Sequence, residues 1–163
     1  SAGTEPTVFR VPGHGARIAS LICFEDAFPH LARRMLAAGA RALVVQTNDG
    51  WFDPLYGAEQ HLPHSVLRAV ECGVPVVRAA NTGISCFIDP RGSVYGRVQS
   101  PDGRRRIAGI VRRDVPLPAA PGATPYARYG GPIDAATAGL GVLLPLAAVW
   151  RLRRKRRAGP RHG

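Results

Sequence analysis

The stretch SLICFEDAFPHLARRM, residues 20–35, places a cysteine and two acids between an apolar run and a segment with helical spacing. The apolar residues from Arg17 to Ile22 predict a short buried strand. Pro29 suits the first turn of a helix over Pro29–Ala38, and Gly39 suits its C-terminal cap. The stretch therefore predicts a strand that runs straight into a helix, with Cys23 at the junction.

The position of Cys23 makes it a candidate nucleophile. At the C-terminal end of a strand and before a helix, a thiol meets unpaired backbone N–H groups and the positive end of the helix dipole, which stabilise a thiolate. The same N–H groups can hold the oxyanion that forms when a thiolate attacks a carbonyl. A buried, inert cysteine is the alternative that position alone leaves open.

The rest of the first 115 residues alternates strands with helices. A second strand is predicted at Ala42–Gln46, a helix at Ala58–Cys72 that starts near Leu62 or kinks at Pro63, and a third strand at Val74–Ala80. Asp89-Pro-Arg-Gly92 predicts a hairpin between strands at 85–88 and 93–98, and Ile107–Val111 is predicted as a last strand. This order fits layered α/β or α+β packing.

The basic residues are concentrated at the C-terminus. The net charge is +11, and residues 151–163 (RLRRKRRAGPRHG) hold seven basic residues and no acid. Before them, residues 133–150 (IDAATAGLGVLLPLAAVW) carry one charge, at Asp134, which predicts a transmembrane helix followed by a cytoplasmic stop. A buried core helix is the alternative. The tail is expected to contact lipid headgroups and not nucleic acid.

Other residue types narrow the chemistry. The three cysteines, at 23, 72 and 86, form no disulfide or zinc pattern, and no phosphate-binding loop is visible, so no metal or other cofactor is expected. Asn48, Asp49, Trp51 and Phe52 follow a buried strand in a polar turn and predict a pocket rim, or a loop held to the core by Trp51. His61 and His64 are candidates for substrate contact or a base, with a structural role favoured.

The motifs ICFEDAFP, QTNDGWF, QHLPHSVLRAVECGVPVVRAANTGIS and IDPRGSV, in this order, resemble the second half of the nitrilase (carbon–nitrogen hydrolase) superfamily. In particular, NDGWF, the closing TPYARYGG and the terminal apolar helix resemble the apolipoprotein N-acyltransferase family. The resemblance covers about residues 8–150.

The resemblance implies the second half of an α-β-β-α sandwich followed by one C-terminal transmembrane helix. The expected organisation is a partial catalytic domain (1–115), an extended linker (116–132), a membrane span (133–150) and a basic cytoplasmic tail (151–163). It places the chain in the inner membrane, with the catalytic part on the extracytoplasmic side.

The resemblance also implies a reaction. Cys23 would take an acyl chain from a phospholipid as a thioester and pass it to the α-amine of a diacylglyceryl-cysteine on a prolipoprotein. Supporting or substrate-binding roles are implied for residues of the motifs: Phe24, Glu25, Asn48, Asp49, Trp51, Phe52 and His61.

The chain departs from the family in one respect. The family's general base and lysine precede the cysteine, whereas the 22 residues before Cys23 hold Glu5 as their sole acid and no lysine. The expectation is therefore a C-terminal portion of an acyltransferase, a truncated gene product or one part of a split enzyme, with an N-terminal half as the possible partner. A different membrane-tethered nitrilase-type amidase and a catalytically dead remnant are the alternatives.

Overall fold

One mixed six-stranded sheet organises the first part of the chain. The computed structural model describes residues 5–51, 57–99, 107–120, 122 and 124–157. The strands follow one another in space as they do in sequence. They are β1 (Val8–Arg10), β2 (Arg17–Ile22), β3 (Ala42–Asn48), β4 (Val76–Asn81), β5 (Cys86–Ile88) and β6 (Val94–Tyr95).

The three central strands are parallel, and the outer strands are antiparallel to them. β2 pairs with β3 in the register Leu21↔Val45, and β3 pairs with β4 in the register Val45↔Arg78. Parallel neighbours need crossover connections, which are helices here. The ends of β2, β3 and β4 therefore lie side by side at one edge of the sheet.

Two helices make these crossovers and cover one face of the sheet. Helix α1 (Pro29–Ala37) begins at a proline, and Gly39, at φ 93°, ends it in a left-handed conformation that glycine adopts without strain. Helix α2 (Gly57–Cys72) runs through Pro63 and ends before Gly73. Their buried faces pack with alternate strand residues into one core that includes Leu21, Leu36, Val45, Leu62 and Val76.

The hairpin predicted around Asp89 is confirmed. The Asp89 Oδ1 accepts the backbone N–H groups of Arg91 and Ser93, each at 2.8 Å, and closes the turn between β5 and β6. These contacts hold the pKa of Asp89 below its usual range. The second strand of the hairpin, β6, ends at Tyr95 and is shorter than the predicted strand at 93–98.

Two details differ from the sequence prediction. Ile107–Val111 is not a strand: Ile110 is fully exposed, and a β-branched segment forms a strand only when it can pair and pack against a sheet. The edge strand β1 was not predicted, because its three residues lie between proline- and glycine-containing turns that hide any alternation.

Helix α3 (Pro125–Arg157) contains the apolar C-terminal segment. Residues 125–132, expected to be an extended linker, are helical, because the Thr124 hydroxyl caps the backbone N–H of Ala127 at 3.1 Å and Pro125 fits the first turn. The chain separates into a unit of residues 1–128 and a unit of residues 129–163. Within α3, Pro125–Arg154 is long and apolar enough to cross a membrane, and none of its most apolar stretch is buried.

Candidate active site

Cys23 lies at the end of β2, as the sequence predicted, but a 3₁₀ helix (Cys23–Ala27) that was not predicted begins there and separates it from α1. Its φ of 51° is in the left-handed region, which costs a residue with a side chain about 1–2 kcal/mol. The sulfur-bearing side chain is half-buried, whereas Cys72 and Cys86 are buried. Burial raises the pKa of Cys72 to about 12 and also raises that of Cys86. Cys23 is therefore the accessible thiol of the three.

Glu25 and Phe24 shape the turn that holds Cys23. The exposed Glu25 carboxylate accepts the backbone N–H of Ile22 at 2.8 Å, across the cysteine. The Phe24 ring is half-exposed, and its centroid lies 5.9 Å from the ring centroids of both His61 and His64. These two predicted residues lie next to the thiol, one tying the backbone together and the other forming an apolar wall.

A buried charged cluster lies beneath this turn. We define it as Asp26, Asp49, His61 and Arg78, each less than 5% exposed. His61 lies between the carboxylates, with Nδ1 2.8 Å from Asp49 Oδ1 and Nε2 2.9 Å from Asp26 Oδ1. Arg78 donates to Asp26 Oδ2 at 3.2 Å and to Asp49 Oδ2 at 3.0 Å.

Ser65 completes the surroundings of Asp26. Its hydroxyl donates to Asp26 Oδ2 at 2.5 Å and accepts from Arg78 Nη1 at 2.8 Å. With both ring nitrogens facing carboxylates, His61 donates twice and carries a positive charge, so two positive and two negative side chains balance. Buried charges are tolerated only when they are paired and hydrogen-bonded in this way.

The protonation states follow from these contacts. Burial alone would lower the pKa of His61, but its hydrogen bonds to Asp26 and Asp49 outweigh burial and raise the pKa to about 9. Burial would raise the pKa of Asp49, but hydrogen bonds from His61 and Thr47 and the charge of Arg78 hold it below its usual range. At neutral pH His61 is therefore protonated and Asp49 is ionised.

Thr47 connects the charged cluster to the thiol. Its Oγ1 lies 2.9 Å from Asp49 Oδ1 and 3.4 Å from Cys23 Sγ. The side chain is 8% exposed and comes from β3, next to the strand that ends at Cys23. A continuous path of hydrogen-bond contacts thus runs from the sulfur through Thr47 and Asp49 to His61.

The loop after β3 forms the rim of a cleft. The Asn48 side-chain oxygen accepts the backbone N–H of Gly50 at 3.2 Å, and Trp51 is 86% exposed. Phe52 lies outside the described residues. A cleft of about 610 Å³ adjoins this loop, and its lining includes Asp49, Gly50, Asn81, Thr82, Ser85 and Ile107. Gly83 packs against the Asp49 carboxylate so closely that a side chain there would collide with it.

The structure brings most of the predicted site residues to one edge of the sheet, but they differ in their exposure to solvent. Cys23, Phe24, Glu25 and Trp51 are at least partly exposed, and Asn48 is exposed. Asp49 and His61 are buried, although Asp49 also lines the cleft. Their supporting or substrate-binding roles stay predictions. Four residues of the network were not predicted as site residues: Asp26, Thr47, Ser65 and Arg78. The signal for Arg78 was available, since an arginine within an otherwise apolar strand needs a buried partner.

The mixed sheet with its crossover helices has the fold of solved nitrilase-superfamily structures. Nit3 of Saccharomyces cerevisiae, a member of branch 10 of that superfamily, matches 60% of this chain and 38% of its own, with a TM-score of 0.51 and 23% identity. Residues 1–114 match the carbon-nitrogen hydrolase family, and the chain belongs to that family. The fold class predicted from the sequence is thereby confirmed.

Longer relatives share the remaining residues. The chain is 40% identical over 162 residues to an apolipoprotein N-acyltransferase of Bradyrhizobium diazoefficiens, which covers 99% of this chain and 27% of the relative. It is 52% identical over 80 residues to that of Geobacter metallireducens, covering 49% of this chain and 15% of the relative. The matched region is thus about a quarter or less of these relatives.

Proposed function

We propose that the chain is the C-terminal portion of an apolipoprotein N-acyltransferase and that Cys23 is its nucleophile. The observation that carries the proposal is the accessible thiol in a left-handed turn between β2 and the 3₁₀ helix. Two further observations support it: the relatives that align along the chain bear that name, and α3 can cross a membrane.

The first half-reaction is thiolate attack on the ester carbonyl of a phospholipid. A C–S bond forms, the ester C–O bond breaks, and the lysophospholipid oxygen leaves with a proton. The first N–H groups of a helix have no partner within it, so those following Cys23 suit the transient oxyanion. Glu25 holds the turn closed through the N–H of Ile22.

The second half-reaction transfers the acyl group to nitrogen. The α-amine of a diacylglyceryl-cysteine attacks the thioester, an amide bond forms, the C–S bond breaks, and the sulfur regains a proton. Splitting the transfer in this way gives ping-pong kinetics. We assign Trp51, Phe52 and Asn48 to the rim that meets these lipid substrates, and Phe24 to the wall beside the thiol.

Proton transfer needs a base that the described contacts of Cys23 do not supply, since Thr47 is the side chain that reaches the sulfur. The family resemblance implies a glutamate base and a lysine earlier in the enzyme. Because the Bradyrhizobium relative is about four times longer than the matched region, we propose that both come from a part of the enzyme outside these 163 residues.

The same proposal gives each segment a place. Residues 1–115 belong to the catalytic domain on the extracytoplasmic side, and 116–132 connect it to the membrane. Residues 133–150 are the intramembrane part of α3, and 151–163 are the cytoplasmic tail of an inner-membrane protein. The basic tail supports this orientation, because arginine-rich flanks stay on the cytoplasmic side.

Trapping the acyl-enzyme tests the proposal. The full chain in phospholipid-containing micelles is analysed by mass spectrometry for a hydroxylamine-sensitive acyl adduct. In the first arm the chain is alone, and in the second arm the N-terminal portion of the Bradyrhizobium relative is added as a separate chain. We expect the adduct on Cys23 in the second arm, its absence in Cys23→Ser and its retention in Cys86→Ser. No adduct in either arm, with Cys23 still open to alkylation, would favour a catalytically dead remnant.

A further inference from the structure

Thr47 occupies a position that the acyl-transfer chemistry does not by itself explain. Its hydroxyl is nearly buried between a carboxylate and a sulfur, 2.9 Å from Asp49 Oδ1 and 3.4 Å from Cys23 Sγ. A hydroxyl has one proton, so it can donate to only one of these two acceptors at a time. The direction of that proton must therefore depend on which acceptor is the more negative.

The state of the sulfur decides between them. When Cys23 is a thiol, Asp49 is the charged acceptor; the Thr47 hydroxyl then donates to Asp49, and the S–H group can donate to Thr47 Oγ1. When Cys23 is a thiolate, it competes for the same proton as an anion. Both acceptors are then anions and either hydrogen bond is charge-assisted, so the donors that each acceptor already has decide between them.

Asp49 can release the hydroxyl at small cost. Its Oδ1 also receives a hydrogen bond from His61 Nδ1, and its Oδ2 receives one from Arg78 Nη2. Two charged donors therefore remain on the Asp49 carboxylate after Thr47 has turned away. Among the described residues, Thr47 is the side chain with a hydrogen-bond contact to the sulfur.

We propose that Thr47 is a positioning residue for Cys23, whose hydroxyl donates to Asp49 while the sulfur is a thiol and turns to donate to the sulfur when it is a thiolate. The proton that leaves the sulfur passes to a base or to water, and Thr47 keeps its own. The inference rests on the proposed role of Cys23 as nucleophile, and it adds the residue that holds the sulfur in place.

Because the surrounding charges balance, the acceptor of the Thr47 hydroxyl depends on the charge of the Cys23 sulfur. The groups that face Thr47 and its partner are Asp49, His61 from α2, Arg78 from β4 and Asp26 from the first 3₁₀ helix, and they balance in charge. His64 contributes a ring contact to His61. The cluster is neutral as a whole while His61 keeps its proton, so below about pH 9 the charge that changes next to the hydroxyl is that of the sulfur.

The pH profile of Cys23 alkylation by iodoacetamide tests the inference without any acyl donor. The full chain in detergent micelles is used, and Cys23→Ser gives the background from Cys72 and Cys86. In Thr47→Val the pH at which alkylation reaches half of its maximal rate should rise by about one unit, because a charge-assisted hydrogen bond to the thiolate is lost. Thr47→Ser keeps the hydroxyl and should restore the profile to within a few tenths of a unit.

Two further variants keep the test decisive. Thr47→Ala removes the same hydroxyl with less crowding and serves if the valine variant does not fold. Thr137→Val makes the same change in α3, where the hydroxyl bonds to the Ile133 carbonyl, and should leave the profile unchanged. Identical profiles for wild type and both Thr47 variants would overturn the inference, whereas failure of acyl trapping with a shifted profile would count against the proposed function alone.

Discussion

The unit of residues 1–128 buries charged side chains, whereas the C-terminal helix α3 exposes apolar ones. Asp26, Asp49, His61 and Arg78 are all less than 5% exposed. In α3, Leu143, Leu144 and Leu146 are each at least 60% exposed. The two regions of one chain therefore have opposite relations to their surroundings.

The difference shows which solvent each region is built for. Charges can be buried only where every one has a partner, and the cluster beneath Cys23 meets that condition. A helix that satisfies its own backbone can expose leucines where the surroundings are lipid. Substitutions that reverse either arrangement should therefore be far more costly than the same changes at ordinary surface positions.

Arg78→Met should give the largest effect, because it leaves Asp26 and Asp49 buried with His61 as their remaining charged partner. The loss of a buried ion-pair partner costs about 3–5 kcal/mol of unfolding free energy. Chemical denaturation followed by circular dichroism measures it. The matched control is Arg112→Met at an exposed position, which should change stability by about 0.5 kcal/mol or less. Equal costs at the two sites would mean that the cluster is not a stabilising network.

The reverse change in α3 is Leu143→Arg. Near the middle of a membrane span, replacing leucine by arginine should make insertion less favourable by about 3–4 kcal/mol. A glycosylation-based insertion assay reports this as a shift from inserted to translocated segment. Leu67→Arg, at a 49% exposed position of α2, is the control for the first unit and should be close to neutral in unfolding free energy. Unimpaired insertion of the arginine variant would contradict the membrane assignment.

The charged cluster should also make stability depend on pH. The pKa of His61 is about 9 in the folded chain and 6.5 in the unfolded chain, so between these values only the folded form keeps the proton. The stabilisation is complete below pH 6.5 and is lost as the pH rises through 9, by about 3 kcal/mol in all.

Unfolding free energies at pH 6.5 and pH 9.5 measure this loss, in a Cys23→Ser background that removes the titration of the thiol. His61→Gln should flatten the dependence of the unfolding free energy on pH. A wild-type chain whose stability rises over this range would refute the protonated state of His61. Asp49 acts at acid pH: because its pKa in the folded chain is lowered, the stability it contributes is lost only as the pH falls below the usual carboxylate range.

Much of the fold was readable from the sequence because its signals are local. A proline at a helix start, a glycine after its end and apolar runs of strand length marked β2, α1, β3, α2 and β4, and Asp89 with Gly92 marked the hairpin. What failed was the assignment of segments whose state depends on distant partners. Residues 107–111 have β-branched side chains but no strand to pair with in the described structure, and β1 is a strand only because β2 lies beside it.

The candidate site was predictable to the same extent. The position of Cys23 at the end of a strand was predicted and is confirmed, but the 3₁₀ helix between it and α1 was not predicted. Asp26 and Thr47, however, were not predicted as site residues: Asp26 is one of two acids in a first helical turn, and Thr47 follows the predicted strand Ala42–Gln46. Their importance lies in contacts with Ser65, Arg78 and Asp49 across the sheet and α2, and no local pattern in the sequence reports them.

The strain at Cys23 gives the smallest and most specific prediction. Because its φ of 51° suits glycine, Cys23→Gly should be more stable than Cys23→Ala by about 1 kcal/mol, although both remove the thiol. At Leu67 in the middle of α2 the order should invert, with Leu67→Gly less stable than Leu67→Ala by about 1 kcal/mol. Denaturation of the four variants measures both differences. If alanine equalled glycine at position 23, the turn would be unstrained, and the thiol would owe its accessibility to the surrounding side chains and not to the backbone.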